Sequence, residues 1–143
     1  MKKRGNISEI SRALIDIAWH FGPKGLNGEC CSDLSMPEFL ALDKIATTEH
    51  CPVQDIGLAL GFTKSGATRI VNRLEKKGYV QKKKSYDDGR ICCVEITQPG
   101  KKILDAAENR YSEEFEKLLA RLPKKMGPVV QQSLKAMAGA LNQ

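Results

Sequence analysis

The sequence predicts a mainly α-helical fold with one small β-hairpin. Six stretches carry apolar residues at the three- and four-residue steps of a helix, and one stretch alternates apolar and polar residues as paired strands do. Two of the helices are short and almost contiguous, and the hairpin directly follows the second of them. With 143 residues, 41% of them apolar, the chain has the length of one domain and enough apolar side chains for a core.

The N-terminal helix is predicted over residues 6–22. An apolar stripe runs from Ile7 to Phe21, and the glycines of GPKGLNG end it. Charged and hydroxyl side chains interrupt the stripe, so this segment lacks the continuous apolar run of a signal peptide. No apolar run approaches the ~20 residues of a membrane span, so we expect a cytoplasmic protein with no membrane partner.

Two further helices lead into a tight turn. The stretch SMPEFLALDKIA begins with Ser35 and Glu38 at the spacing of a capping box, with Pro37 in the first turn. A shorter helix over PVQDIGLAL starts at Pro52 and stops at Gly61. The buried side of the first of these helices is predicted to comprise Phe39, Leu42 or Leu40, Ile45 and Ala46.

The fourth helix follows almost at once in TKSGATRIVNRLEKK, with Thr63 as its predicted N-cap. Two short helices joined by so tight a turn form a helix-turn-helix. Gly66 costs a helix up to ~1 kcal/mol relative to alanine. Either a close approach to a phosphate or packing against the preceding helix accounts for it. The buried stripe of the fourth helix is predicted to be Ala67, Ile70, Val71 and Leu74.

A β-hairpin is predicted over YVQKKKSYDDGRICCVEIT, whose polar tip at residues 85–89 is long enough to project. Strand alternation places Cys92 in the core and Cys93 toward solvent. A helix-turn-helix followed by a projecting basic hairpin is the winged-helix arrangement. The predicted fold class is therefore mainly α with a small β wing.

The C-terminal part is predicted to form two amphipathic helices, one from Pro99 to Leu122 and a second ending at Leu141. Together with the N-terminal helix, these stripes offer more apolar surface than a small winged helix can cover. We therefore expect a homodimer, with residues 6–22 and 98–142 as dimerisation helices. The alternative is a helical cap folded over the domain of its own chain.

The positive charge is confined to one part of the chain. The formal net charge is +6, and residues 61–90 carry nine Lys or Arg against three carboxylates, so the other 113 residues are neutral in sum. A surface of this kind attracts a polyanion. A solvated face without a partner would explain the polarity but not the confinement of the charge.

The five cysteines form two adjacent pairs and a single residue, with no CxxC spacing. This pattern argues against a disulfide framework and a zinc finger, so we expect reduced thiols and neither a metal nor a cofactor. Cys51 precedes a helix start, whose partial positive charge lowers a thiol pKa, and the vicinal Cys30 and Cys31 suit soft metal ions. These three are the candidate sensing thiols; a structural role for all five is the alternative.

The order of helices, helix-turn-helix, wing and terminal helices resembles the MarR family of bacterial transcriptional regulators. The resemblance is strongest over KSGATRIVNRLEKKGYVQKKKSYDDGRICCVEITQPGKKIL, in which Asp88-Gly89-Arg90 is similar to the family's wing element. It covers nearly the whole chain as a single domain, residues 1–143, with the winged helix at 34–97.

The resemblance implies a homodimer that binds a palindromic operator in double-stranded DNA, usually as a repressor. The resemblance implies release by a small molecule or an oxidant, and the vicinal Cys30 and Cys31 add a soft metal ion as a candidate signal. The fourth helix would lie in the major groove, and Arg90, oriented by Asp88, would reach the minor groove. An effector pocket between the dimer helices and the DNA-binding part would draw on Trp19, His20, Phe21 and Phe39.

The candidate DNA-binding residues are hydrogen-bonding and cationic side chains suited to base edges and phosphates. They are Lys64, Ser65, Thr68, Arg69, Asn72, Arg73, Lys82, Lys83, Lys84, Asp88 and Arg90. An enzyme is not expected, because the chain has no glycine-rich phosphate loop, nucleophile motif or histidine cluster. The alternative function is a winged-helix adaptor that binds protein and not DNA, a class that usually lacks a basic recognition face.

Overall fold

The computed structural model describes residues 2–22, 34–84 and 90–142, without the side chains of residues 2–6, 91 and 92. Over this part of the chain, helices and strands follow one another in the predicted order, and the predicted fold class is confirmed. None of the described helices combines the length and the apolar content that crossing a membrane requires. The elements are α1 (Lys2–Phe21), α2 (Met36–Thr47), α3 (Val53–Leu60), α4 (Lys64–Lys76), β1 (Val80–Lys84), β2 (Ile91–Ile96), α5 (Gln98–Ala120) and α6 (Met126–Leu141).

The predicted capping pair closes the N-terminus of α2. Ser35 Oγ accepts a hydrogen bond from the Glu38 backbone N–H at 3.3 Å and donates one to Glu38 Oε1 at 3.0 Å. The predicted buried stripe is wrong at Ala46, which is exposed, while Phe39 is half-buried and, of the two leucines, Leu42 is the buried one. The charged Glu38 takes an inward position and shifts the buried face toward the start of the helix. The buried residues of α2 are Glu38, Ala41, Leu42 and Ile45.

The helix-turn-helix depends on a close crossing of α3 and α4. Gly61 ends α3 in the left-handed region, at φ +69°, where glycine is favoured. A Cβ on Gly57 would lie 3.2 Å from the Phe62 carbonyl oxygen and 3.3 Å from Ala67 Cβ. The small residues at 57 and 67 therefore let the two helices approach each other.

The described helices and strands of the winged helix share one hydrophobic core. The predicted stripe of α4 is confirmed, since Ala67, Ile70, Val71 and Leu74 are all buried and none is more than 8% exposed. α4 packs against α2, α3 and β1, and α2 also packs against β2. The largest fully enclosed side chains are Leu34, Leu42, Cys51, Ile56, Val71, Leu74 and Val94.

The wing is an antiparallel hairpin whose register shifts near its tip. Lys83 lies opposite Cys93 and Lys84 opposite Ile91, so β2 carries one extra residue between the two pairs. On the other edge of β2, the Val94 N–H donates a hydrogen bond to the Cys51 carbonyl oxygen at 2.8 Å. This bridge ties the wing to the segment that precedes α3.

Three expectations for the cysteines are wrong. Cys93 is 3% exposed and disulfide-bonded, so neither its expected exposure nor the expected reduced thiol is found. Cys93 and Val94 stand opposite Lys83 and Lys82 in regular register and both are buried, so β2 is covered on both faces at this point. Burial raises the pKa of the Cys51 thiol, Asp55 raises it further, and Lys44 only partly opposes them. That thiol donates to the Pro52 carbonyl oxygen at 3.7 Å and is fully buried. The candidate thiols at 30 and 31 lie outside the described residues.

The start of α5 is joined tightly to the end of α4. Thr97 Oγ1 donates a hydrogen bond to the Gly78 carbonyl oxygen at 2.6 Å and accepts one from the Gly100 N–H at 3.2 Å. A Cβ on Gly100 would overlap the Tyr79 carbonyl oxygen and lie 2.8 Å from Ile96 Cγ1. Position 100 therefore requires glycine, because no space is left for a Cβ atom.

The chain divides into two compact units, Met1–Glu108 and Asn109–Gln143. In the first unit, every described side chain of α1 from Ile7 to His20 is exposed. In the second unit, α6 contains no buried residue. Both helices therefore keep apolar side chains in contact with solvent.

Candidate nucleic-acid interface

The N-terminal end of α4 is fixed by the predicted cap. Thr63 Oγ1 accepts a hydrogen bond from the Gly66 backbone N–H at 3.1 Å. A Cβ on Gly66 would lie 3.2 Å from the same oxygen, so glycine makes room for the capping side chain. This local contact accounts for Gly66 in a way that the sequence reasoning missed.

The solvent-facing side of α4 is polar and cationic along its length. Arg69 and Arg73 form no ion pair with any residue in the described part of the chain. An open groove runs along the first turns of the helix, lined by Thr63, Lys64, Ser65, Thr68 and Arg69. The predicted α4 residues that the structure leaves exposed are Lys64, Ser65, Thr68, Arg69, Asn72 and Arg73.

The hydroxyl groups of α4 are partly used within the helix. Thr68 Oγ1 donates its proton to the Lys64 carbonyl oxygen at 2.9 Å. Ser65 Oγ shares a hydrogen bond with Thr63 Oγ1 at 3.1 Å. Thr68 therefore presents acceptor lone pairs and a methyl group to an incoming partner, while its donor is already engaged.

The three consecutive lysines of the wing have different surroundings. Lys82 Nζ lies 2.6 Å from Asn72 Oδ1 and 3.6 Å from a Glu75 carboxylate oxygen, both on α4. Lys83 Nζ lies 3.5 Å from the Glu95 carboxylate. Lys84 is exposed and has no carboxylate partner among the described residues. The sequence alone does not distinguish the three lysines, whereas in the described part of the structure Lys82 and Lys83 each have a carboxylate partner and Lys84 has none.

Lys77 has a buried partner that local spacing could not reveal. Its Nζ lies 2.7 Å from Glu38 Oε2, and the Glu38 side chain is only 7% exposed. A lysine at the C-terminus of a helix ordinarily interacts with the helix dipole. The observed ion pair links that end of α4 to the start of α2, which is 39 residues away in sequence.

The wing tip is only partly described. Arg90 is exposed directly before β2. Asp88 lies outside the described residues, and so does its predicted orienting contact with Arg90. At the base of the wing, Glu95 also lies 3.6 Å from His50 Nδ1, so a cation and an imidazole flank the same carboxylate.

The predicted effector-pocket residues lie on α1 and α2. Trp19 is 62% exposed, and the rings of His20 and Phe21 meet edge to face with their centroids 5.0 Å apart. Phe39 is half-buried on α2. Within the second unit, α5 and α6 enclose a cleft of about 370 Å³ with a mainly apolar lining that includes Phe115 and Leu134. Sequence reasoning missed this cleft, because helical spacing alone does not show where two stripes leave a gap.

Part of the chain is similar in sequence to known transcriptional regulators. Residues 32–91 match the sequence model of the MarR family. The chain is 28% identical over 109 residues to the HTH-type transcriptional regulator YfiV of Bacillus subtilis, an alignment covering 76% of this chain and 68% of that protein. It is 32% identical over 68 residues to the transcriptional repressor MprA of Escherichia coli, covering 46% of this chain and 39% of that protein.

The fold is also found among solved structures. FabT of Streptococcus pneumoniae, crystallised in complex with DNA, superposes with a TM-score of 0.74 at 21% identity, covering 97% of both chains. At this identity the likeness shows the fold alone. Over its winged-helix part, the chain is similar in sequence to the MarR family of transcriptional regulators.

Proposed function

We propose that this regulator is a homodimer that binds a palindromic operator in double-stranded DNA and represses transcription until a signal releases it. In this proposal α4 enters the major groove and the wing lies along the neighbouring sugar-phosphate backbone. The observation that carries the proposal is the exposed face of α4. Its apolar stripe is fully buried, while Arg69 and Arg73 remain exposed without an ion pair in the described part of the chain. Such a face suits phosphates and base edges.

Two of the related proteins support the proposal. FabT has been crystallised with DNA, and MprA is a transcriptional repressor. We propose that all 143 residues act as one functional domain, with the winged helix at 34–97 reading the operator. Such a regulator works in the cytoplasm, where it meets chromosomal DNA.

The homodimer is proposed from the apolar side chains that the single chain leaves uncovered. On α1, Ile10 and Trp19 are 61% and 62% exposed, and on α6, Val129 and Met137 are 61% and 53% exposed. Apolar surface of this extent is typical of a protein–protein contact. A two-fold dimer would present two copies of α4 about one turn of DNA apart, which explains a palindromic site.

The releasing signal is proposed to be a small organic molecule in preference to oxidation of Cys51. Cys51 is fully buried and its thiol pKa is raised, so it is poorly suited to react first with an oxidant. The apolar cleft between α5 and α6 and the aromatic side chains at the end of α1 offer surfaces to an organic ligand.

The experiment is a selection of bound sequences from random DNA, followed by mobility shifts on the selected operator at several salt concentrations. Arg69→Ala should weaken specific binding by roughly 1–3 kcal/mol, because a groove contact is lost. Arg121→Ala removes one exposed charge from the end of α5 and serves as the matched control. If Arg69→Ala binds as tightly as wild type, α4 is not the reading element. If the wild type binds no DNA even at low salt, the proposed function is wrong and the alternative applies, a winged-helix adaptor that binds protein.

A further inference from the structure

Lys82 makes a contact that a role in phosphate binding does not explain. Its Nζ donates a hydrogen bond to Asn72 Oδ1 at 2.6 Å, which joins β1 of the wing to the middle of α4. The Glu75 carboxylate lies 3.6 Å from the same Nζ, and the Lys82 side chain is only 25% exposed. The ammonium group is therefore held against α4 and is not extended into solvent.

This contact distinguishes the two ends of the Asn72 carboxamide. An ammonium group donates hydrogen bonds but cannot accept them, so the Asn72 atom that meets Lys82 must be the oxygen. The amide N–H groups remain for another partner. Together, Asn72 and Lys82 therefore present hydrogen-bond donors to a third partner. An asparagine without such a lysine would present both a donor, its NH2 group, and an acceptor, its oxygen.

The distinction matters in the major groove. An unrestrained asparagine pairs with adenine, because it accepts from the N6 amino group and donates to N7. Guanine instead offers two acceptors, N7 and O6, which match a set of donors. The Asn72 oxygen keeps a second lone pair, but an adenine amino group that reached it would bring its partial positive charge close to the Lys82 ammonium. Like charges repel at such distances, so guanine is the better partner.

We propose that Lys82 is a specificity-determining residue: by occupying the carboxamide oxygen of Asn72, it makes this side chain select guanine where asparagine alone selects adenine. The inference rests on the proposed function, since it requires the exposed face of α4 to enter the major groove. Glu75 contributes by balancing the charge of Lys82, which keeps the ammonium at α4 when phosphates are near. In this proposal Lys82 contributes to base recognition, whereas Lys84 contributes to phosphate binding.

The test compares the bases that the wild type and three variants select from random double-stranded DNA. Asn72→Ala identifies the base pair concerned, because preference at that pair alone should be lost. Lys82→Met keeps the apolar stem and removes the ammonium, so the preference at this pair should change from guanine to adenine. Lys84→Met is the matched control, since it also removes one charge from β1. It should keep the selected sequence, bind all sequences more weakly, and lower the salt slope by about one.

Titrations of duplexes with either base at that pair give the size of the effect. The wild type should prefer guanine over adenine by about tenfold, the scale expected for hydrogen bonds to one base edge. Lys82→Met should bind the adenine duplex at least as tightly as the guanine duplex. Replacement of the guanine by 7-deazaguanine, which lacks N7, should weaken wild-type binding, whereas inosine, which keeps N7 and O6, should not.

The inference is overturned if the wild type selects adenine at the pair that depends on Asn72, if no pair depends on Asn72, or if Lys82→Met still selects guanine. In each case the wild type still selects an operator, so the proposed function stands. If the wild type selects no sequence, the proposed function fails and this inference fails with it. Circular dichroism verifies that Lys82→Met is folded, and Lys82→Ala carries the same expectations should it not be.

Discussion

α4 and α6 have the same helical spacing of apolar residues, but those residues meet different surroundings. In α4 the stripe is covered by the chain's own α2, α3 and β1, and its most exposed member, Ile70, is only 8% exposed. In α6 no residue is buried, and Met126 and Met137 are 47% and 53% exposed. Periodicity therefore predicts both helices equally well but does not say which of them lacks a cover.

The difference indicates the kind of partner that each helix suits. α4 has placed its apolar surface in its own core, so only hydrogen-bonding and cationic groups remain for a partner such as DNA. α6 still carries the surface that contributes about 25 cal/mol per Å² when it is removed from water. A second protein chain removes that surface from water, whereas a nucleic acid backbone does not.

The largest expected effect is the loss of the proposed dimer contact at α6. Met126→Glu combined with Met137→Glu places carboxylates on the exposed stripe, and burying them in an apolar contact costs roughly 2 kcal/mol or more each. The dissociation constant of the dimer should rise at least about 1000-fold, and sedimentation velocity measures it. Gln132→Glu adds a charge to the opposite side of α6 and should leave dimerisation intact. A double variant that dimerises as tightly as wild type would mean that α6 is not the interface.

The next effect contrasts two glycines in helices. Gly100→Ala should destabilise the fold by roughly 2–4 kcal/mol, because the new Cβ overlaps the Tyr79 carbonyl oxygen at a joint that cannot yield easily. Gly139→Ala should have the opposite sign, stabilising by about 0.5–1 kcal/mol, since nothing lies within 4 Å of its Cβ. Urea unfolding measures both. Equal effects would show that the crowding at Gly100 is relieved by a small shift of α5.

The third effect concerns the reactivity of the Cys51 thiol. In the folded protein it should react with iodoacetamide at least about 100-fold more slowly than in urea, because it is fully buried. Ala138→Cys, which places a thiol on the exposed surface of α6, is the matched comparison and should react at similar rates in both states. Mass spectrometry of the modified peptides distinguishes the two sites. Rapid modification of native Cys51 would restore it as a candidate sensor.

The pH dependence of stability follows from the same thiol. Its pKa is raised by folding, so the folded state holds the proton more tightly than the unfolded state does. The resulting stabilisation is complete below the usual thiol pKa of about 8.5 and declines as pH rises above it. The free energy of unfolding should therefore fall more steeply above that pH for the wild type than for Cys51→Ala.

Local patterns predict most of the fold because its elements depend on neighbours in sequence. The cap at Thr63 and the buried stripe of α4 are confirmed for that reason. The environment of Cys93 could not be predicted, since strand alternation gives the face of a side chain but not whether the rest of the chain also covers the second face of β2. Nor could the pairing of Lys77 with Glu38, which joins positions far apart in the chain. For the candidate site, composition predicts an exposed cationic face but not which lysines already have a carboxylate partner.

Those carboxylate partners change the number of counterions that DNA binding can release. Of the nine cations in residues 61–90, Lys77, Lys82 and Lys83 each lie within 4 Å of a glutamate. At most six per protomer are then left to neutralise phosphates, or twelve in a dimer. The logarithmic dependence of affinity on salt should be no steeper than about −11, where nine cations per protomer would allow about −16. The affinity for an operator should therefore decrease less with rising ionic strength than the number of cations in the sequence predicts.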